Sequence, residues 1–187
     1  KTTDLNDVIK KSSSLFARTR KEIQVHTDLY EEIWAADVDS GQIEQALLNL
    51  YVNAWQAMSA GGNLYLKTRN VILDSSIVKP FKVEPGKYVE ISVSDTGVGI
   101  DKETRKRIFE PFYTKKVMGR SGTGLGMAVV WGTVKDHRGT VDIKSIQAQG
   151  TTVTLLLPST KEHRMQPSEP ATIEELKGSG ERILVVD

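Results

Sequence analysis

The sequence predicts an α+β fold in one domain with short appendages, and two observations lead to this prediction. The chain has 187 residues, of which 39% are hydrophobic, and this is enough to bury one sizeable core. Segments with the spacing of amphipathic helices, about 3.6 residues per turn, are interspersed with segments that alternate as half-buried strands do.

Four segments have the pattern of helices. The clearest is the second, which follows a capping signal at Asp39 and ends before Gly61. Asp4 is in position to cap the first helix, and the third is short and basic. The predicted helices span residues 4–19, 41–58, 101–108 and 125–135.

Five segments have the apolar alternation of strands. Proline and glycine separate them, and Pro158 ends the last one. The stretch 111–126 is rich in glycine, proline and polar residues, so it is predicted to be a loop. The predicted strands span residues 23–29, 64–69, 88–93, 141–143 and 152–157.

Composition excludes several classes of function. Lysine and arginine number 25 against 24 acidic residues, so no global field attracts nucleic acid, and we expect no nucleic-acid partner. The absence of cysteine excludes a disulfide scaffold, a thiolate zinc site and a thiol nucleophile. No apolar run is long enough to span a bilayer. We expect a cytoplasmic location, with any membrane anchor of a parent protein outside this sequence.

Two asparagines lie one turn apart on the second predicted helix. Asn49 and Asn53 flank its apolar stripe, although asparagine is a poor helix former. Two interpretations remain open at this point. The amides are either solvated or hydrogen-bonded to a neighbouring loop, or an amide oxygen binds a hard cation such as Mg²⁺.

An aspartate is directed inward where the third predicted strand ends. Alternation places Asp95 on the same face as the apolar residues of 88–93. A buried carboxylate needs donors, and the exocyclic amine of a purine would serve, with Gly97 and Gly99 allowing close approach of the backbone to a flat ring. Alternatively, Asp95 caps its own Asp-Thr-Gly turn.

A glycine-rich segment, Gly122-Thr123-Gly124-Leu125-Gly126, precedes the fourth predicted helix. Unobstructed backbone N–H groups at a helix start form a phosphate site in principle. The segment matches neither a Walker loop nor a dinucleotide fingerprint. Residues 101–120 contain seven basic and three acidic residues, a charge excess that suits phosphate. The alternative is a flexible, solvated loop.

Together these segments resemble the N, G1, F and G2 boxes of sensor histidine kinases, in that order. The matching segments are 45–54, 95–100, 108–115 and 122–126. The resemblance covers residues 4–158. It implies the Bergerat (GHKL ATPase) fold, a two-layer α/β sandwich with a mixed sheet under three helices and a mobile lid over ATP.

The resemblance also implies roles for individual residues. Asn49 and Asn53 become catalytic, with Asn53 as the Mg²⁺ ligand, and Asp95 becomes the partner of the adenine amino group. Gly97 and Gly99 shape the adenine pocket.

Further residues complete the implied ATP site. Thr151 supports Asp95 through its hydroxyl. Gly122, Gly124 and Gly126 hinge the lid and bind phosphate. The remaining implied contacts to the nucleotide are Tyr113, Lys115, Lys116, Arg120, Thr123 and Leu125.

The implied reaction is transfer of the γ-phosphoryl group of Mg-ATP to a histidine on an upstream dimerisation hairpin. None of the three histidines, His26, His137 and His163, is followed by an acidic residue as the family's acceptor is. We therefore expect the acceptor hairpin outside this sequence. The implied partners are that hairpin and a receiver domain or response regulator, with a monomeric fragment and a homodimeric parent.

The resemblance divides the chain into a catalytic domain over 1–158 and a Pro-, Ser- and Glu-rich linker over 159–180. Residues 181–187 resemble the start of a receiver domain, although any hydrophobic strand of a following domain would fit. One alternative function is that of an ATPase of the same superfamily, which uses a glutamate where this chain has Asn49. The nearby Glu44 is predicted to point away from the site. The other alternative is a regulatory nucleotide-binding module without transfer.

Overall fold

A computed structural model describes residues 1–74, 83–113 and 124–160. Every helix and strand predicted from the sequence is present, with ends shifted by a few residues. In chain order the elements are β1 (Thr2–Thr3), α1 (Leu5–Thr19), β2 (Ile23–Leu29), β3 (Ala36–Asp37), α2 (Ser40–Ala57), β4 (Gly62–Leu73), β5 (Gly86–Asp95), α3 (Lys102–Arg107), α4 (Gly126–Asp136), β6 (Thr140–Ile146) and β7 (Gly150–Pro158).

Five strands form one mixed sheet in the order β2-β4-β5-β7-β6. β2 and β4 are parallel, and the other neighbours are antiparallel. α2 packs between α1 and α4, and the three helices cover one face of the sheet. The predicted two-layer sandwich, in which a mixed sheet lies under three helices, is therefore confirmed.

The core lies between the helices and the inward side chains of the sheet. α2 lies at its centre, because its apolar residues recur every three or four positions and face the sheet and both flanking helices. The buried residues of α2 are Ile43, Ala46, Leu47, Leu50, Tyr51 and Ala54. Burial raises the pKa of the Tyr51 hydroxyl to about 12, and this hydroxyl is hydrogen-bonded to the Ser12 hydroxyl at 3.3 Å.

Side-chain caps set the starts of α1 and α2. The Asp4 carboxylate accepts from the N–H of Asn6, and the Asp39 carboxylate accepts from the N–H of Gln42. The Asp39 N–H donates to Nε2 of His137 at 3.0 Å. This last bond joins the start of α2 to the residue that follows α4.

The paired strands β1 and β3 were not predicted from the sequence, because each has only two residues and shows no periodicity. Within the described ranges, no helix has the length and hydropathy needed to cross a bilayer. The domain prediction extends into residues 161–187, which lie outside the described residues.

Candidate functional site

Asp95 ends β5 in the row of the sheet that also holds Leu64, Thr151 and Ser145 on neighbouring strands. Its Oδ1 accepts from the backbone N–H of Gly97 at 2.8 Å and of Thr151 at 3.3 Å. The first bond is the turn cap that the alternative interpretation described. In the described part of the chain no donor reaches Oδ2, so this oxygen remains available to a ligand.

The charge of Asp95 is half-buried. Desolvation raises the pKa of this carboxyl, and the N–H groups of Gly97 and Thr151 oppose part of that rise. An additional hydrogen-bond donor would therefore offset part of the free-energy cost of desolvating this carboxylate.

The expected contact of the Thr151 hydroxyl with Asp95 is wrong. The backbone N–H of Thr151 makes the contact, and its Oγ1 lies 2.9 Å from the hydroxyl oxygen of Ser145. The physical reason is the sheet order, because β7 lies between β5 and β6 and places Thr151 opposite Asp95 on one side and Ser145 on the other.

Gly97 and Gly99 allow close packing of the turn after Asp95. A Cβ on Gly97 would lie 2.7 Å from both Cβ and the carbonyl oxygen of Ala57 at the end of α2. Gly99 has φ +67°, and a Cβ there would collide with the carbonyl oxygen of Ile146. The glycines thus admit α2 and the end of β6 next to this turn. That they also leave room for a purine ring stays a prediction.

Asn49 and Asn53 lie together on the edge of α2 that faces the start of α4. A Cβ on Gly126, the first residue of α4, would lie 3.5 Å from Oδ1 of Asn49 and 3.7 Å from Nδ2 of Asn53. Nδ2 of Asn53 is buried and has no hydrogen-bond partner among the described residues. The amide group of Asn53 is therefore not held by a hydrogen bond from this nitrogen to a neighbouring described loop.

The start of α4 completes this arrangement. Leu125 is its N-cap residue and supplies no side-chain cap. Among the residues that the structure describes, no side chain accepts from the first N–H groups of α4, which lie beside the two asparagines at the positive end of the helix dipole. An anion bound there would lie next to the amides.

The remaining predicted contacts surround the interval 114–123. Gly124 has φ +69°, and its carbonyl accepts from the Phe112 N–H at 3.1 Å, so the chain on either side of the interval is joined. The Tyr113 ring lies 4.4 Å from the Arg107 guanidinium. Five predicted lid residues fall outside the described residues, namely Lys115, Lys116, Arg120, Gly122 and Thr123.

Comparison with known proteins identifies the family. Residues 38–161 match the family model described as histidine kinase-, DNA gyrase B-, and HSP90-like ATPase. The chain belongs to this family. Its ATP-binding catalytic domains include those of sensor histidine kinases, so the recognition made from the four boxes is confirmed.

The chain is similar to several curated members of the family. It is 36% identical to the sensor kinase CckA of Brucella abortus (strain 2308) over 98% of this chain and 20% of that protein. It is 35% identical to the sensor histidine kinase ZraS of Escherichia coli (strain K12) over 83% of this chain and 30% of that protein. The chain thus spans only 20% to 30% of the length of these relatives.

Solved structures show the same fold. The mycobacterial sensor histidine kinase MprB aligns with a TM-score of 0.69 at 24% identity, covering 85% of this chain and 97% of that one. Full-length ShkA in complex with AMPPNP aligns with a TM-score of 0.69 at 23% identity, covering 88% of this chain and 32% of that one. Both likenesses concern the fold.

Sequence reasoning missed Ser145. Alternation from Val141 and Ile143 directs Ser145 inward, which is the same signal that identified Asp95. The signal was present, but the meaning of an inward serine depends on the strands beside it.

Proposed function

We propose that this chain is the catalytic domain of a sensor histidine kinase, which binds Mg-ATP and transfers its γ-phosphoryl group to a histidine on a separate helical hairpin. One observation carries the proposal. The Asn49 amide and the Asn53 amide, whose Nδ2 has no partner within the described residues, face the start of α4, where Leu125 supplies no side-chain cap, so a candidate metal ligand adjoins a candidate phosphate site.

In this proposal Asp95 holds the purine. Its Oδ1 is occupied by Gly97 and Thr151, and its Oδ2 accepts from the exocyclic amino group of adenine. This hydrogen bond offsets part of the desolvation cost that raises the pKa of the carboxyl. The base is thereby oriented with the phosphates directed along α2 toward α4.

The residues present fit Mg²⁺. Amide oxygens are hard ligands, so Oδ1 of Asn53 is the atom that would coordinate the ion, while its buried Nδ2, a donor without a partner among the described residues, would donate to a phosphate oxygen. Asn53 would hold the ion with Asn49 beside it. When bound, Mg²⁺ neutralises charge on the phosphate oxygens.

The protein's part in the reaction is positioning. The N–H groups at the start of α4 receive phosphate oxygens, and Asp95 fixes the base. The acceptor imidazole nitrogen then forms a bond to the γ-phosphorus. The bond from phosphorus to the bridging oxygen breaks, and ADP leaves with the electron pair. We propose that a lid over 112–123 excludes water during this step.

A dedicated ATPase is the weaker alternative because the site has no positioned carboxylate base on α2. Glu44 lies one residue and a turn before Asn49, and its carboxylate pairs with the Lys11 ammonium of α1 at 3.6 Å. It is directed toward α1 and away from Gly126 and the asparagines. This supports transfer to an imidazole over activation of water.

The wider assignment follows from the same proposal. The acceptor hairpin belongs to a homodimeric parent that acts in the cytoplasm, and the isolated domain is a monomer. We propose that residues 159–180 link the domain to a receiver domain that begins near 181–187. A response regulator or that receiver would take the phosphoryl group from the histidine.

Calorimetry with Mg-ATP tests the proposal. Replacing Asp95 with asparagine removes a charge-assisted hydrogen bond of about 1.5–3 kcal/mol, so ATP affinity should fall about ten- to hundredfold. Asp142→Asn is the control, because Asp142 points to the opposite face of the sheet. Equal ATP affinity in wild type and Asp95→Asn would overturn the assignment of Asp95.

A further inference from the structure

The turn between β6 and β7 is fastened to the loop that follows Asp95. The Ala148 N–H donates to the Val98 carbonyl at 2.8 Å, and the Ile100 N–H donates to Oγ of Ser145 at 2.9 Å. Neither bond involves Asp95, Asn49 or Asn53. Both join the loop to an element about 50 residues later in the chain.

The contact between turn and loop leaves no free space. A Cβ on Gly150 would collide with the carbonyl oxygen of Asp95, just as one on Gly99 would collide with that of Ile146. Gly150 has φ +103°, which also favours glycine. Backbone therefore packs directly on backbone at both ends of the contact.

The Ser145 hydroxyl lies at the centre of this contact, and its hydrogen bonds can be counted. It accepts from Ile100 and donates its single proton to the Gly150 carbonyl at 3.0 Å. Its third neighbour, Oγ1 of Thr151 at 2.9 Å, must then be the donor in their shared bond. All hydrogen-bonding capacity of Ser145 is used.

This count fixes the role of Thr151. Its hydroxyl proton is committed to Ser145, and its N–H is committed to Oδ1 of Asp95. Ser145 thus holds the residue that holds Asp95, and it also anchors the loop at Ile100. A single hydroxyl links both sides of the predicted purine pocket.

We infer that Ser145 is a positioning residue for purine binding, which holds Thr151 and the loop 96–100 in the geometry that Asp95 needs before a nucleotide arrives. The inference rests on the proposed function, in which Asp95 receives the adenine amino group. Ser145 itself touches no nucleotide. Its effect reaches the ligand through Thr151 and Ile100.

Replacing Ser145 with alanine tests whether its hydroxyl positions the purine site or only stabilises the fold. Ser145→Ala leaves the Ile100 N–H without its acceptor and releases the Thr151 hydroxyl. Ser94→Ala is the matched control, because Ser94 makes a hydroxyl pair with Thr152 at 2.8 Å on the other face of β5 and β7. Both variants lose a hydroxyl contact between strands, but only the Ser145 contact lies on the face of the sheet that holds the Asp95 side chain.

The measurements are calorimetric affinities for adenosine and Mg-ATP and the unfolding free energy of each variant. Ser145→Ala should lower the affinity for both ligands about three- to tenfold, which is the effect expected from loss of about one hydrogen bond. Ser94→Ala should leave both affinities unchanged. Ser145→Thr, which keeps the hydroxyl but adds a methyl group, should bind both ligands more tightly than Ser145→Ala does. Loss of affinity in Ser94→Ala equal to that in Ser145→Ala would overturn the inference.

A double-mutant cycle distinguishes failure of this inference from failure of the proposed function. If Ser145 acts through Asp95, Ser145→Ala should have less effect in the Asp95→Asn background than in wild type. Full additivity would overturn the positioning role while leaving the purine site intact. If Asp95→Asn binds ATP as wild type does, the proposed function fails instead, and the inference fails with it.

Discussion

The Asp95 carboxylate combines a half-buried charge with one oxygen that no described donor reaches. Its pKa is raised by desolvation, so the folded state binds a proton more readily than the unfolded chain. The stability contributed by the protonated group is therefore complete below the ordinary pKa of 3.8 and is lost as pH rises through the raised value. At neutral pH the charge of Asp95 lowers the stability of the free domain.

We therefore expect Asp95→Asn to raise the unfolding free energy at neutral pH while it weakens ATP binding. An asparagine oxygen still accepts from Gly97 and Thr151 but carries no charge to desolvate. Chemical denaturation of both proteins without nucleotide, from pH 7 downward, measures the gain. It should shrink as pH falls through the raised pKa, and a gain independent of pH would contradict this explanation.

Asn53 differs from a structural asparagine in the same fold. Its buried Nδ2 has no partner among the described residues, whereas Asn6 of α1 donates to the Tyr30 carbonyl and accepts from the Thr68 hydroxyl. Both residues lie in helices. Because an unpartnered amide contributes no hydrogen bond to folding, Asn53 is available for a ligand, while Asn6 holds the loop after β2.

We expect the two alanine variants to behave in opposite ways. Asn53→Ala should leave the unfolding free energy close to that of wild type and reduce phosphoryl transfer more than adenosine binding. Asn6→Ala should lower the unfolding free energy by about 1–3 kcal/mol without changing adenosine affinity. Parallel denaturation, adenosine calorimetry and transfer assays decide. Equal loss of adenosine and Mg-ATP binding in a folded Asn53→Ala protein would make Asn53 a structural residue.

At the scale of elements, α4 contains two glycines with different surroundings. A Cβ on Gly126 would face Asn49 and Asn53 at ordinary contact distances, whereas a Cβ on Gly132 would meet no atom within 4 Å. Neither glycine has a positive φ, so alanine is compatible with the backbone at both. Alanine variants at the two positions therefore distinguish an effect on helix stability from an effect of filling the space beside Asn49 and Asn53.

Gly132→Ala should raise the unfolding free energy by about 0.5–1 kcal/mol and leave ligand binding unchanged. Gly126→Ala should also fold, but its methyl group occupies the space between the amides and the start of α4. We expect about tenfold weaker Mg-ATP binding, equivalent to about 1.4 kcal/mol, with adenosine affinity retained. Calorimetry with both ligands measures the split, and an unchanged ratio of affinities would place the phosphates elsewhere.

Local signals made the long elements predictable. The capping carboxylates of Asp4 and Asp39 and the apolar stripe of α2 are properties of neighbouring residues, and they gave the helices nearly to the residue. Alternation likewise placed Asp95 inward. The partners of Thr151 could not be found in this way, since they lie on β5 and β6, 56 and six residues away along the chain. Only the sheet order decides which strands flank β7.

At the scale of the molecule, the sheet separates the site from the open face. His26 lies on that open face, stacked on Tyr65 with ring centroids 4.8 Å apart and hydrogen-bonded to Asn63. Asp95 lies on the other face, under the helices. His137 follows the last residue of α4, about 16 Å along the axis from Gly126 at 1.5 Å per residue, and both its ring nitrogens are hydrogen-bonded.

The final prediction is that this chain does not phosphorylate itself, because neither His26 nor His137 can approach a γ-phosphate at the start of α4. Transfer requires near in-line approach within a few ångströms. Incubation with γ-labelled ATP should leave the chain unlabelled, and adding the parent's acceptor hairpin as a separate chain should give acid-labile label on the hairpin alone. His163 lies outside the described residues, so a His163→Ala variant is assayed alongside. Acid-labile label on the isolated chain that disappears on replacing any of its three histidines would identify an internal acceptor and contradict the prediction.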